Sequence, residues 1–166
     1  VLSDVAAQIT GSVGLAGSAN IGEECSMFEA IHGSAPDIAG QNKANPSGLI
    51  NAAVMMLIHI GQGKIAAKIE NAWKKTIEDG VHTGDIYNKN TSTKLVGTKE
   101  FGEEVASRLG QKPSKLRVAN YEDVAPEAKS PREYKIDNSS KKELVGVDVF
   151  IDMDERSAHK IADKVQ

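Results

Sequence analysis

Residues 49–79 most restrict what this chain can fold into. From Leu49 to His59 almost every position is apolar, with Ile50, Val54, Met55, Met56, Leu57 and Ile58 in one run. A segment apolar around its whole circumference predicts a helix buried on all sides. Asn45-Pro46 ahead of it disfavours helix at Asn45, and Gly61 and Gly63 end it. A second helix is expected over Lys64 to Asp79, with Ile65, Ile69, Ala72, Trp73 and Ile77 at helical spacing on one face. Lys68, Glu70, Lys74, Lys75 and Glu78 decorate the other side, and Gly80 supplies the stop. On this reading Trp73 anchors the core, Met55 and Met56 fill it, and His59 is a core residue with its polar atoms satisfied.

Flanking segments complete an α/β pattern. Before Ile60 the chain is rich in Gly and Ala, and Gly11, Gly14, Gly17 and Gly22 predict tight turns. No G-x-G-x-x-G follows a strand there, so the dinucleotide fingerprint is absent. Val81 to Thr98 is polar and turn-rich. Thr98 is suited to cap a third helix, with Phe101, Val105 and Leu109 on one face and Gly110 after it. A compact unit, 1–110, is expected to end there. From Gln111 to Lys142 the composition shifts to lysines interrupted by Pro113, Pro126 and Pro131, which predicts a linker or loosely packed arm over 111–142. Leu144 to Ile151 reads as a buried strand and Ser157 to Val165 as an amphipathic helix, the start of a small C-terminal α/β extension over 143–166. A parallel crossover needs a second strand, and the chain opens Val1-Leu2-Ser3-Asp4 without an initiator Met. A piece of a longer polypeptide is therefore expected.

Composition excludes several functions. With Lys+Arg 20 against Asp+Glu 23 the formal charge is -3; no basic surplus points to nucleic acid. The single cysteine, Cys25, excludes an internal disulfide framework and an all-cysteine zinc site, and suits a reducing, cytoplasmic compartment. No apolar run reaches the roughly 18–20 residues that cross a bilayer, so no membrane partner is expected.

Chemistry concentrates in the segment from Glu29 to Gly40, continuing to Ala44-Asn45-Pro46. Its Gly, Ser, Pro, Asp and Asn residues predict a loop between apolar stretches. Loops with exposed backbone N–H groups, a His and an Asp contact ligands often, although an ordinary structured turn has the same composition. Asp4 is a second candidate, either a helix cap, a solvated charge or a ligand for Mg²⁺ or Mn²⁺, the last requiring partner carboxylates. His82 and His159 have no evident partners, and no Ser/His/Asp triad can be assembled.

Leu2-Ser3-Asp4, Gly17-Ser18-Ala19-Asn20-Ile21-Gly22, Phe28 to Gly40 and Ala44-Asn45-Pro46 together resemble the β-decarboxylating dehydrogenases. That family includes isocitrate, 3-isopropylmalate and tartrate dehydrogenases. The resemblance runs from Val1 to about Leu109. The remainder, including Pro131-Arg132-Glu133-Tyr134, is similar to the C-terminal extension of elongated bacterial isocitrate dehydrogenases.

The resemblance implies a partial isocitrate/isopropylmalate dehydrogenase-like α/β fold. It also implies a part in the oxidative decarboxylation of isocitrate to 2-oxoglutarate, with a nicotinamide cofactor and Mg²⁺ or Mn²⁺. The metal acts as a Lewis acid on the developing ketone and enolate. A bacterial cytoplasmic homodimer is implied with it. Alternatives are a 3-isopropylmalate or related 2-hydroxy acid dehydrogenase, or a non-catalytic regulatory module keeping the dehydrogenase core. By resemblance Asp4 is a metal ligand, and His32, Gly33, Ser34, Ala35, Pro36, Asp37, Ile38 and Asn45 form the adenosine side of the cofactor pocket. Asn45 is expected to hydrogen-bond the adenine. No catalytic residue of the family falls within the chain, so it is expected to be inactive alone.

Charge bears on which cofactor is used. Family members that use NADP usually carry Lys and Tyr where this chain has Asp37 and Ile38, and often Tyr and Arg in place of Gly84 and Asn88. A carboxylate accepts hydrogen bonds from a free ribose diol and repels a 2′-phosphate. Like charges about 4 Å apart at an effective dielectric near 20 cost roughly 4 kcal/mol before screening. NAD is therefore expected, with NADP as the alternative if Lys43 or Lys89 meets the phosphate.

Overall fold

The computed structural model describes Val5, Ala6, Ile9, residues 11–124 and Lys160. Two compact units divide the chain, Val1–Pro131 and Arg132–Gln166. The strand and helix expected at 144–151 and 157–165 lie outside the described residues, Lys160 apart, as do Asp4 and His159.

Tight turns were expected in the Gly-rich opening, and the structure places a β-hairpin there. Strands β1 (Gly17–Ile21) and β2 (Ser26–Ala30) pair antiparallel, from Gly17↔Ala30 to Ile21↔Ser26. The Gly22 N–H donates to the Cys25 carbonyl at 3.0 Å to close the connection. A short 3-10 turn, Pro36–Ile38, leads to helix α1 (Ser47–His59) and then α2 (Gly63–Glu78). Strands β3 (Val81–His82) and β4 (Lys94–Leu95) form a short parallel pair before α3 (Thr98–Ser107).

Helix α1 packs on both hairpin strands and on α2. The approach is close enough to demand glycine on each side. A Cβ on Gly17 would stand 2.6 Å from the Ala52 nitrogen, and one on Gly48 would stand 2.8 Å from the Ala16 oxygen. The hydrophobic core forms between α2, β3 and α3, from Ala72, Val81, Val96, Phe101 and Val105, with Ile50, Trp73 and Ile77 against it. Phe101 is fully buried; burial of such a side chain contributes about 1.5–3 kcal/mol. Trp73 joins the two long helices by packing, and its indole Nε1–H donates to Ser47 Oγ at 2.8 Å.

The helices stand where periodicity and the glycine stops place them, but three burial expectations need correction. Helix α1 is not buried on all sides: Ala52 and Val54 are buried, while Leu49 is 63% exposed and Met56 and Ile58 are 40% exposed. The hairpin and α2 leave these three positions uncovered among the described residues. His59 is likewise exposed, its ring tilted against Phe28 at 5.4 Å between centroids. On α2 the inward face is set by Ala66, Ala67, Asn71, Ala72 and Thr76, while Ile65 is exposed. Small residues let α1 come close, a requirement the spacing of large apolar residues does not reveal.

Of the linker or loosely packed arm expected over 111–142, residues 125–142 lie outside the described residues; 111–124 contain no helix or strand but are bonded to α2 as an arm. Pro113 and Ala119 are buried. Asn71 of α2 clamps Ala119 from both sides, its Nδ2 donating to the Ala119 carbonyl at 2.9 Å and its Oδ1 accepting from the Ala119 N–H at 2.8 Å. The Glu78 carboxylate accepts from the N–H groups of Ser114, Lys115 and Leu116 and from the Ser114 hydroxyl. These bonds hold the Glu78 carboxyl far below the usual carboxylate range, the Ser114 hydroxyl first among the causes. The compact unit therefore extends past the boundary expected at Gly110.

Candidate functional site

A cavity of about 800 Å³ opens between the loop after β2, the turn at Ser12–Gly14, and the N-terminal end of α3. Its loop wall is built by three left-handed residues and one 3-10 turn. Ala35 adopts φ 44, ψ 61 and Asn42 φ 56, while Gly40 takes φ 72 at no steric cost. Within the loop, the Ile38 N–H donates to the Ala35 carbonyl at 3.1 Å and the Gln41 N–H to the Ile38 carbonyl at 3.1 Å.

Asn42 then stitches the loop to α3. Its Oδ1 accepts from the Lys99 N–H at 2.8 Å, its carbonyl accepts from the Thr98 N–H at 3.1 Å, and its Nδ2 donates to Glu100 at 2.8 Å. The expected capping hydroxyl, Thr98, instead donates across to the Ala44 carbonyl at 2.5 Å, and Gly97 stands at the N-cap. Orphan N–H groups at a helix start need an acceptor from somewhere; here the loop supplies it.

A carboxylate organises the floor. Asp85 accepts from Asn45 Nδ2 at 2.9 Å, from Thr83 Oγ1 at 2.5 Å and from the Ser12 hydroxyl. Partial burial pushes the Asp85 carboxyl up, but the three donors Ser12, Thr83 and Asn45 outweigh it and leave it below its ordinary value. Asn45 is buried, and its Oδ1 also accepts from the Ser47 N–H at 3.0 Å at the start of α1. A Cβ on Gly14 would lie 2.8 Å from Asn45 Cβ, so the Ser12–Gly14 turn fits against Asn45 only without a side chain.

Most of the residues expected at the cofactor pocket are brought together. His32, Gly33, Ser34, Ala35, Ile38 and Asn45 line the cavity. A Cβ on Gly33 would meet no protein atom, so backbone there is open to a ligand. His32 Nδ1 donates to the Gly33 carbonyl at 2.9 Å, which leaves Nε2 for a ligand. Pro36 and Asp37 are absent from the wall. The Asp37 carbonyl accepts from Gln41 Nε2 at 2.6 Å, while the residue itself is exposed.

This alters the electrostatic argument for NAD. The charged groups at the cavity are the ammonium groups of Lys43 and Lys99 and the carboxylate of Asp85. Lys43 Nζ donates to Gln41 Oε1 at 2.7 Å, and Lys99 reaches Glu103 only at 3.9 Å. Lys89, Gly84 and Asn88 do not line it; Asn88 is committed to a turn, its Oδ1 accepting from the Asn90 N–H at 2.9 Å. Ser12, Gly14, Asn42, Asp85 and Lys99 were missed by sequence reasoning. The Thr83-Gly84-Asp85 turn was visible, but nothing local reveals that it folds back on Asn45.

Asp4 lies outside the described residues. Among the described residues no three His, Cys, Asp or Glu side chains are grouped to hold a metal ion, and no helix is long and apolar enough to cross a membrane.

Residues 1–105 match the model of the isocitrate/isopropylmalate dehydrogenase family. The chain is 68% identical over 165 residues to "Isocitrate dehydrogenase [NADP]" of Rickettsia bellii, which covers 99% of this chain and 34% of that protein. It is 50% identical over 114 residues to "3-isopropylmalate dehydrogenase 1, chloroplastic" of Arabidopsis thaliana, covering 68% of this chain and 27% of that protein. A solved isocitrate dehydrogenase from Methylococcus capsulatus superposes with a TM-score of 0.60 at 44% identity, over 66% of this chain and 32% of that one. The chain thus spans about a third of the length of the curated relatives it matches.

Proposed function

Because the chain belongs to the isocitrate/isopropylmalate dehydrogenase family, we propose that it forms the adenosine side of the cofactor site in an NADP-dependent isocitrate dehydrogenase. The observation that carries this reading is the extent of similarity. The match to the Rickettsia bellii protein continues through the arm and the C-terminal extension, whereas the isopropylmalate dehydrogenase match covers 114 residues. That favours isocitrate over 3-isopropylmalate as substrate.

NADP replaces NAD as the proposed cofactor. The relative's name carries NADP, and Lys43 and Lys99 put two ammonium groups at the cavity while Asp37 stays off its wall. An ammonium and a phosphate oxygen about 4 Å apart gain roughly 4 kcal/mol at an effective dielectric near 20, less at exposed sites. His32 to Ala35 and Ile38 would enclose the adenosine, with Asn45 held by Asp85 behind it. The Asn45 side chain is already bonded at both ends, so its spare Nδ2 hydrogen is what it offers the adenine.

Mg²⁺ or Mn²⁺ would supply Lewis acidity to the decarboxylation, with Asp4 as this chain's ligand to it. The homodimer and the bacterial cytoplasm belong to the same proposal.

Steady-state kinetics of the full-length protein test the reading, with isocitrate, Mg²⁺ or Mn²⁺ and each cofactor. NADP should be preferred. Lys43→Glu should lower kcat/KM for NADP by about tenfold and leave NAD within about twofold. A preference for NAD, or turnover of 3-isopropylmalate in place of isocitrate, would overturn it.

A further inference from the structure

Between α2 and the packed arm lies a second cavity, about 420 Å³, that shares no residue with the first. Lysines enter it from two directions: Lys64 and Lys68 from the first turns of α2, and Lys112 from the arm. The apolar part of the lining is Ala67, Val118 and the ring of Tyr121.

Charge matching around this cavity is incomplete. Lys64 is paired with Asp123, at 3.3 Å through Nζ, and its N–H donates to the same carboxylate at 2.9 Å. Glu70 is also committed, to Lys74 at 2.6 Å and to the Tyr121 hydroxyl, which donates at 2.7 Å. Neither Lys68 nor Lys112 has a hydrogen-bond or ion-pair partner among the described residues. Two uncompensated ammonium groups at one concave wall raise the local potential and concentrate anions there.

The wall is also held in place. Asn71 fixes Ala119 through two hydrogen bonds, and Glu78 fixes residues 114–116, the turn that follows Lys112 and the buried Pro113. A site whose cations sit on a braced frame loses less conformational freedom on binding than one on a loose tail.

We propose that this cavity binds a small phosphorylated molecule, its phosphate between Lys68 and Lys112 and a compact flat group against Val118 and Tyr121. Ammonium groups act on phosphate as point charges, and the aromatic and aliphatic surfaces favour an organic portion over inorganic phosphate alone. The site lies outside the cofactor cavity; its test rests on the proposed function only in using NADP to fill that cavity, and the Ala119 and Asn120 amides report on the second cavity itself.

The experiment uses the full-length protein with saturating NADP, so that the first cavity is filled. Titration with AMP is followed by calorimetry and by the amide resonances of Ala119 and Asn120. Saturable binding is expected, with shifts at both amides and weakening as salt is raised. Lys68→Ala with Lys112→Ala should weaken it at least about tenfold, since each charged hydrogen bond is worth that much. Lys68→Arg with Lys112→Arg, which keeps both charges, should retain it. Pyrophosphate, lacking the flat group, should bind more weakly than AMP. No saturable AMP binding, equal affinity in the double Ala variant, or pyrophosphate binding as tightly as AMP would overturn the proposal.

Discussion

Asn45 and Asp85, forty positions apart, are joined by a hydrogen bond of 2.9 Å from the amide Nδ2 to the carboxylate Oδ2. The same carboxylate gathers Ser12 and Thr83, so three separate segments of the cavity floor meet at one acceptor.

Replacing Asp85 by Asn keeps the shape and removes the charge those donors point to. The expected outcome is a rise of about tenfold in the KM for NADP, with kcat within about twofold, because charge-assisted bonds are the stronger kind. Steady-state kinetics on the full-length protein check it. An equal fall in kcat would give Asp85 a role in the chemistry instead of in positioning Asn45.

Asp85 also makes a pH prediction. Its carboxyl lies below the ordinary value because hydrogen bonds from Ser12, Thr83 and Asn45 overcome the opposing effect of burial. The folded state therefore binds its proton less readily than the unfolded state. The resulting stability is present above the unfolded Asp value, about 3.9, and is lost as pH falls through the lower folded value. Thermal melting of wild type and Asp85→Asn should differ near neutrality, and the difference should shrink as the pH falls below the unfolded Asp value and through the lower folded one.

Glu78 should govern the arm. Its side chain is 5% exposed and meets three successive backbone N–H groups. Glu78→Ala is expected to loosen residues 111–124 and to raise tryptic cleavage after Lys115 and Arg117 by roughly tenfold or more. Timed proteolysis with mass spectrometry reads this directly. Unchanged cleavage would mean that Asn71 and the other α2 contacts to the arm, Lys64–Asp123, Glu70–Tyr121 and Lys74–Arg117, hold it without Glu78.

Asp37→Asn should change the NADP-to-NAD preference by less than about threefold, since the residue is not part of the cavity wall and an exposed charge is screened. The charge argument from sequence alone corresponds to about 100-fold if roughly 3 kcal/mol survives screening. Cofactor kinetics separate the two sharply.

Gly48→Ala should destabilise the protein by about 1–3 kcal/mol, because the added methyl would meet the Ala16 carbonyl oxygen at 2.8 Å. Chemical denaturation of the full-length protein checks it.

Local sequence was sufficient wherever a segment's own chemistry decides its conformation. Three helices follow from apolar spacing, and Gly61, Gly80 and Gly110 stop them by taking φ 82, 76 and 93, which side chains resist. The loop from His32 to Asn45 was legible as an irregular, Gly-, Ser- and Asn-rich segment, and it lines the first cavity.

Contacts between distant segments were decided only by the tertiary structure. Asp37 looked like the controlling charge because it lies within the recognisable motif, but the 3-10 turn leaves it off the wall and the fold brings Lys99 in from α3. Exposure of Leu49 and burial of Ala66 depend on which neighbour arrives on which flank, which periodicity does not encode. The proline- and lysine-rich arm reads as a linker by composition. It is packed because Asn71 and Glu78, on a helix more than 30 residues upstream, supply its backbone with the hydrogen-bond partners it cannot make for itself.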